Sequence, residues 1–212
     1  MKYPPVSRRG LLVGAGAAFL PVPAAFADGI AATPQQTEGP FYPVQFPSDA
    51  DNDLVQVRGN AAQAMGTILH LQGRVLGLDS KPVQGAQIEI WQSDSQGLYD
   101  HPRQPGRTQR DQAFQGYGRV LAGVDGGYSF RTLKPVAYPG RTPHIHLKVA
   151  GQGGIALTSQ FYIAGDPQNE RDFVYRGAMR DPRQRERIEM RLQPAGGLEP
   201  GALATTMDIV VG

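Results

Sequence analysis

Two histidines one residue apart, His144-Ile145-His146, are the densest concentration of metal-binding chemistry in the chain. On a strand, residues i and i+2 point to the same face with Cα atoms about 7 Å apart. Both imidazoles can therefore converge on one ion while Ile145 turns to the core; two histidines can equally share a polar face with no metal. The segment leading in, Tyr138-Pro139-Gly140-Arg141-Thr142-Pro143, supplies a phenol and a guanidinium from a Pro/Gly loop, the kind that aims side chains from a rigid scaffold. A second phenol follows a turn at Gly97-Leu98-Tyr99-Asp100, and the chain has no Cys. Disulfides, Cys-ligated zinc, iron–sulfur clusters and thiol nucleophiles are thereby excluded.

Two phenols and two imidazoles suit one metal above others. A phenol, with a pKa of about 10, ligates at neutral pH only when a strong Lewis acid displaces its proton. Zinc sites use His, Cys or carboxylate, and Fe(II) oxygenases use two His and one carboxylate. Ferric iron is hard and trivalent; two tyrosinates and a hydroxide balance its charge. Eight Tyr are present, however, and chemistry alone does not choose two of them.

The elements that must carry these residues are short. Gly (27) and Pro (18) are about a fifth of the 212 residues, which favours turns over long helices. Strand-like runs occur at 68–76, 86–91, 118–121, 128–132, 144–149, 155–163 and 205–211, and Ala86 to Trp91 alternates apolar and polar residues. Val124-Asp125-Gly126-Gly127 reads as a hairpin turn between two of the runs. Helix is expected over 182–192 and, shorter, near 169–176, with Arg183, Arg185 and Arg187 on a solvated face among acids. The expected fold is all-β: an antiparallel β-sandwich of short strands with one or two short helices and a long N-terminal arm.

Residues 1–27 read as an export signal, with Arg8-Arg9 before Leu11-Leu12, a weakly apolar stretch, Pro21, Pro23 and Ala25-Phe26-Ala27. The Arg pair resembles a twin-arginine signal, so a periplasmic or extracellular location is expected. This segment carries Lys2, Arg8 and Arg9 and no acid, and removing it takes the formal net charge from +2 to −1. Nucleic-acid binding thereby loses its electrostatic argument. No apolar run is long enough to span a membrane. Residues 28–66, Pro- and Gln-rich, are expected to form an extended arm and loop, and 67–212 the sandwich.

The ordered stretches Thr37-Glu38-Gly39-Pro40-Phe41-Tyr42-Pro43, Gly73-Arg74-Val75, Pro82 to Ala86, Ile90-Trp91-Gln92, Gly97-Leu98-Tyr99, Tyr128 to Thr132, Tyr138-Pro139, Arg141 to His146, and Ser159-Gln160-Phe161-Tyr162 with Gly165-Asp166 together resemble the intradiol ring-cleavage dioxygenases. Relatives of that kind include protocatechuate 3,4-dioxygenase, catechol 1,2-dioxygenase and hydroxyquinol 1,2-dioxygenase. The resemblance implies one Fe(III) per chain, with Tyr99, Tyr138, His144 and His146 as ligands. Arg141, Tyr138 and Gln160 would be catalytic, and Gly39, Pro40, Tyr42, Arg141 and Gln160 would line the substrate pocket. It implies cleavage of a catechol-type diol by O2 between its two hydroxylated carbons, giving a cis,cis-muconate-type diacid.

The N-terminal helical domain of catechol-type relatives has no counterpart in residues 28–66, which do not look helical. The length is nearer the protocatechuate-type subunits, which pair two kinds of chain. This chain has all four ligand candidates and its own arm; acting alone, as a homo-oligomer, or with a related chain are all consistent with the resemblance. The alternatives are a β-sandwich ligand-binding module without catalysis and a metallohydrolase using His144 and His146. His70, in an apolar strand, and His101, just after Tyr99, are not expected to be ligands; Tyr117 and Tyr162 are expected to pack in the core.

Overall fold

In a computed structural model of the chain, residues 30–151, 156–178 and 182–212 are described; residues 1–27, expected to be an export signal, lie outside them. Among the described residues ten strands form two sheets. One contains β1 (Ile68–Gly77), β4 (Gly127–Leu133), β8 (Gln193–Pro194), β9 (Leu203–Thr206) and β10 (Ile209–Val211), and the other β2 (Gln87–Trp91), β3 (Tyr117–Leu121), β5 (His144–Ala150), β6 (Ala156–Ile163) and β7 (Glu189–Met190). The second sheet runs in the order β3-β2-β5-β6-β7. The core between the layers is built by alternation. Ile88 and Ile90 of β2, Ile145, Leu147 and Val149 of β5, and Leu157 and Phe161 of β6 meet Leu69, Leu71 and Val75 of β1 and Phe130 of β4. On β5 this leaves His144, His146 and Lys148 on the opposite, outer face.

The all-β sandwich is as expected, but its sheets are mixed: β1–β9, β1–β10 and β6–β7 pair in parallel. The expected hairpin across Val124–Gly127 is corrected. β3 pairs with β2 and β4 with β1, so the turn crosses between layers. Gly126 has φ +77°, and a Cβ there would come within 2.5 Å of the Val75 carbonyl; its own carbonyl accepts the Val75 N–H. Bonding to β1 fixes the turn. The expected helix over 182–192 is also corrected: it is one turn, α2 (Pro182–Arg185), followed by β7. Ile188 accepts the Tyr162 N–H and Met190 lies fully buried beside β6, so pairing to a sheet edge overrides the helical pattern. Asp181 of the expected Arg-rich face lies outside the described residues, and Arg187 falls beyond the helix. The 169–176 region is a single 3-10 turn (Asn169–Arg171) and the helix α1 (Phe173–Ala178). The 205–211 run splits at Met207-Asp208 into two strands.

That split follows from Gly73. A Cβ on this residue would sit 1.9 Å from the Met207 carbonyl oxygen, which also accepts the Tyr128 hydroxyl at 2.6 Å. Gly73→Ala is expected to cost about 2–3 kcal/mol of unfolding free energy through overpacking against backbone, measured by urea denaturation.

Residues 30–66 contain no helix or strand among those described, only an isolated bridge at Asp53. The arm is tied along its length. Thr33 bonds Val210, Gln36 bonds Thr158, and Leu54 bonds Arg131 through backbone N–H groups. Its 37–46 stretch crosses the outer face of the second sheet. No helix among the described residues is long and apolar enough to cross a membrane.

Candidate metal centre

His144 and His146 project side by side from β5. Their Nε2 atoms face each other at 3.1 Å, and both rings are almost wholly buried. The Thr142 carbonyl accepts from His144 Nδ1 at 2.7 Å. A carbonyl only accepts, so the proton sits on Nδ1 and Nε2 carries the lone pair, turned toward His146 Nε2, the arrangement that orients a ligating imidazole. His146 stacks on Trp91, its cross-strand neighbour, with centroids 4.8 Å apart and planes 8° apart. Burial holds both rings neutral. It pushes His144 down to about 3, with Arg141 adding to the effect, and pushes His146 well below the usual imidazole range, with His144 and Arg141 adding.

Both groups bind fewer protons folded than unfolded, so stability is full above pH 6.5 and falls as the pH drops below it. Metal-free protein is expected to lose about 1.4 kcal/mol per pH unit for each histidine. Urea unfolding between pH 7 and 5 measures the slope; a flat profile contradicts it.

Tyr138 and Arg141 are brought together by a tight turn. Pro139-Gly140 occupy its centre with Gly140 at φ +83°, and the Tyr138 carbonyl accepts the Arg141 N–H at 2.9 Å, the signature of a type II turn. Arg141 Nη1 reaches the Tyr138 hydroxyl at 3.5 Å. The Tyr138 ring lies 5.4 Å from His144 and 5.7 Å, edge on, from Tyr99. Tyr99 comes from the loop after β2. There buried Asp94 accepts the N–H groups of Gln96, Leu98 and Asp111, and Gly97, at φ +80°, packs where a Cβ would be 3.3 Å from that of Tyr138. The Tyr99 ring is 6.1 Å from His146. Among the described residues its buried hydroxyl has no hydrogen-bond partner. Burial first, then Tyr138, raises the Tyr99 hydroxyl well above the usual phenol range, and burial raises Tyr138 against the opposing charge of Arg141. Each phenol therefore keeps its proton unless a cation displaces it.

Arg141 is held from three sides. Its Nε donates to Asp172 at 2.8 Å and its Nη2 to Gln160 Oε1 at 2.5 Å. Burial works against its charge, but Asp172 and Tyr138 outweigh it and the guanidinium stays protonated. Asp172 caps α1, accepting the N–H groups of Val174 and Tyr175, and also that of Thr142. These bonds hold its carboxyl below the usual range against the opposing effect of burial. Gln160 Nε2 donates to the Thr37 carbonyl at 3.0 Å, tying the arm to the site.

Gly39 lies against His146, where a Cβ would be 3.3 Å from Cε1. Phe41 stacks on Tyr99 at 4.6 Å. Pro40, exposed, sits between them. Tyr42 points elsewhere: its hydroxyl donates to Glu89 at 2.7 Å and its ring meets Trp91. The Tyr162 hydroxyl donates within reach of Gln36 and Gln160, and Tyr117 packs with Trp91 and against Phe46. His101 accepts the Arg103 N–H and meets Phe41 edge on; His70 pairs with Glu199 at 3.3 Å across the other sheet.

Sequence reasoning missed Asp172, Asp94 and the stacking role of Trp91. The first two had a local signal, an Asp opening a helix and an Asp opening a Gly turn; the third follows from strand register. Among the described residues no three His, Cys, Asp or Glu side chains gather, so a centre here must draw on phenols. Two facing neutral imidazoles and a buried, unpartnered phenol fit a hard trivalent ion.

A family model described as Dioxygenase (Dioxygenase_C) matches residues 37–192. The chain is 34% identical over 168 residues to catechol 1,2-dioxygenase 1 of Acinetobacter lwoffii, covering 70% of this chain and 52% of that protein. It is 32% identical over 180 residues to the protocatechuate 3,4-dioxygenase beta chain of Burkholderia cepacia, covering 81% and 76%. It thus spans about half the length of the first relative and three quarters of the second. Among solved structures, the dioxygenase domain of a dioxygenase–carbohydrate-binding fusion from Streptomyces sp. SirexAA-E superposes with a TM-score of 0.66 at 32% identity, over 85% of this chain and 97% of that one. With residues 37–192 matched from the arm through β7, the chain belongs to the intradiol ring-cleavage dioxygenase family.

Proposed function

We propose that Tyr99, Tyr138, His144 and His146 hold one Fe(III) and that the chain uses O2 to cleave a catechol-type diol between its hydroxylated carbons, giving a cis,cis-muconate-type diacid. The observation that carries this reading is the meeting of the two imidazole Nε2 atoms, 3.1 Å apart, with two phenols in one buried cluster. Bound iron would supply Lewis acidity, drawing electron density from a chelated diolate so that its ring carbon reacts with O2.

The protein's own groups do the rest. His144 is kept as an electron-pair donor by the Thr142 carbonyl. Tyr138 is the more exposed phenol and lies beside Arg141, so its oxygen is the one assigned to take a proton from the incoming diol. Arg141, anchored by Asp172, places a fixed positive charge where negative charge builds on the ring. Gln160 holds both Arg141 and the Thr37 carbonyl in place. Gly39, Pro40 and Phe41 exclude water from above. The chain's own arm lies over the cluster, which supports the reading that this chain can act alone.

The test is the visible spectrum and metal content of protein as purified, followed by O2 uptake with catechol, protocatechuate and hydroxyquinol. The expected result is burgundy protein with one iron per chain, O2 consumed one to one with a diol, and a diacid product. Colourless, fully folded protein that binds diols without O2 uptake would leave a binding module; zinc with oxygen-independent hydrolysis would leave a hydrolase. Residues 1–27 are further proposed as a twin-arginine-like export signal, supported by Arg8-Arg9 and Ala25-Phe26-Ala27; retention in the cytoplasm on cell fractionation would refute it.

A further inference from the structure

Glu89 and Lys148 are directly opposed across β2 and β5, on the same outer face as His146. Each reaches up to a different point of the arm. Glu89, buried on an outer face, accepts the Tyr42 hydroxyl at 2.7 Å and the Gln87 side-chain amide at 2.7 Å. Lys148 Nζ pairs with Glu38 at 2.5 Å and sits 3.8 Å over the Tyr42 ring. The two attachment points, Glu38 and Tyr42, bracket Gly39-Pro40-Phe41, of which Gly39 lies against His146 and Phe41 stacks on Tyr99. A carboxylate inside a sheet face is costly unless its oxygens are satisfied, so the pair has a reason to stay engaged with the arm.

We propose that Glu89 and Lys148 are positioning residues that clip the arm down at both ends of this bracket, fixing the height of the Gly39–Phe41 roof and so the largest ring substituent the site accepts. The inference rests on the dioxygenase reading for its substrate consequence, but the clip itself does not. Lys148 is a partly exposed side chain, so its substitution leaves the core intact. Neither residue touches the phenols or imidazoles of the centre.

The experiment uses full-length iron-loaded enzyme and the variants Lys148→Met, Glu38→Gln and Lys148→Arg. Two readouts are taken: hydrogen exchange of the 37–42 amides, and the ratio of kcat/KM for 4-tert-butylcatechol to that for catechol. Lys148→Met and Glu38→Gln are each expected to speed exchange in 37–42 and to raise the ratio about tenfold, equivalent to about 1.4 kcal/mol. The catechol KM should rise while iron content and the visible band stay unchanged. The double variant should add nothing beyond either single change, and Lys148→Arg should restore both readouts. Unchanged exchange in 37–42 overturns the clip. Faster exchange with an unchanged substrate ratio overturns its role in specificity. Wild-type enzyme inert toward every diol overturns the dioxygenase reading, and the exchange readout then still decides the clip by itself.

Discussion

His146→Ala is expected to purify colourless, with iron below a tenth of the wild-type content and ring-cleavage activity reduced by more than about 10³-fold. The side chain is not replaceable by a neighbour. Its Nε2 faces that of His144, its ring is clamped between Trp91 and Gly39, and Tyr99 stands edge on to it. Among the described residues no carboxylate or further histidine joins the pair. The fold should survive, because the ring sits on the outer face of the sheet and the core packs on Ile145 and Leu147. Far-ultraviolet circular dichroism should therefore match the wild type while metal analysis and the visible band do not. A variant that kept its iron and its turnover would remove His146 from the centre, and with it the reason for reading Tyr99 as a ligand.

The part of this centre legible in the sequence is the part written in strand periodicity. Alternation along His144 to Val149 sends Ile145, Leu147 and Val149 inward, which forces His144 and His146 to one outer face. The Pro-Gly turn between Tyr138 and Arg141 was equally local, and its hydrogen bond closes as the dipeptide dictates. Which partners those side chains meet was set by contacts distant in sequence. Asp172 lies 31 residues from Arg141, and only the packing of α1 against the turn brings them together. Choosing Tyr99 and Tyr138 among eight phenols required the family pattern, because nothing in a single Tyr says that its hydroxyl will be buried without a partner. The helical pattern over 182–192 and the turn at 124–127 failed for one reason. A free sheet edge at β6 and a backbone contact with β1 offered hydrogen bonds that local propensity does not weigh.

Arg141→Ala should separate catalysis from metal binding. The guanidinium is 3.5 Å from the Tyr138 hydroxyl and bonded to Asp172 and Gln160, but it contributes no lone pair to a cation. Iron content and the visible band should stay near wild type, while kcat falls about 10²–10³-fold, the usual loss when one preorganised charge is removed from a developing anion. The truncation leaves Asp172 with its three backbone donors but without its cation, which is expected to cost about 1–3 kcal/mol of stability. Assays well below the melting transition, measured by scanning calorimetry, keep that loss out of the rate. Asp172→Asn provides the contrast. Its amide oxygen keeps the Val174 and Tyr175 N–H groups of the helix cap, but the NH2 that replaces Oδ2 cannot accept from Arg141 Nε. The guanidinium is still present but loses its anchor, and kcat should fall about tenfold with a smaller change in KM. If Arg141→Ala instead lost iron in step with activity, the guanidinium would be a support for Tyr138 rather than a partner of the substrate. If both variants turned over at the wild-type rate, the charge beside the phenol would have no part in ring cleavage.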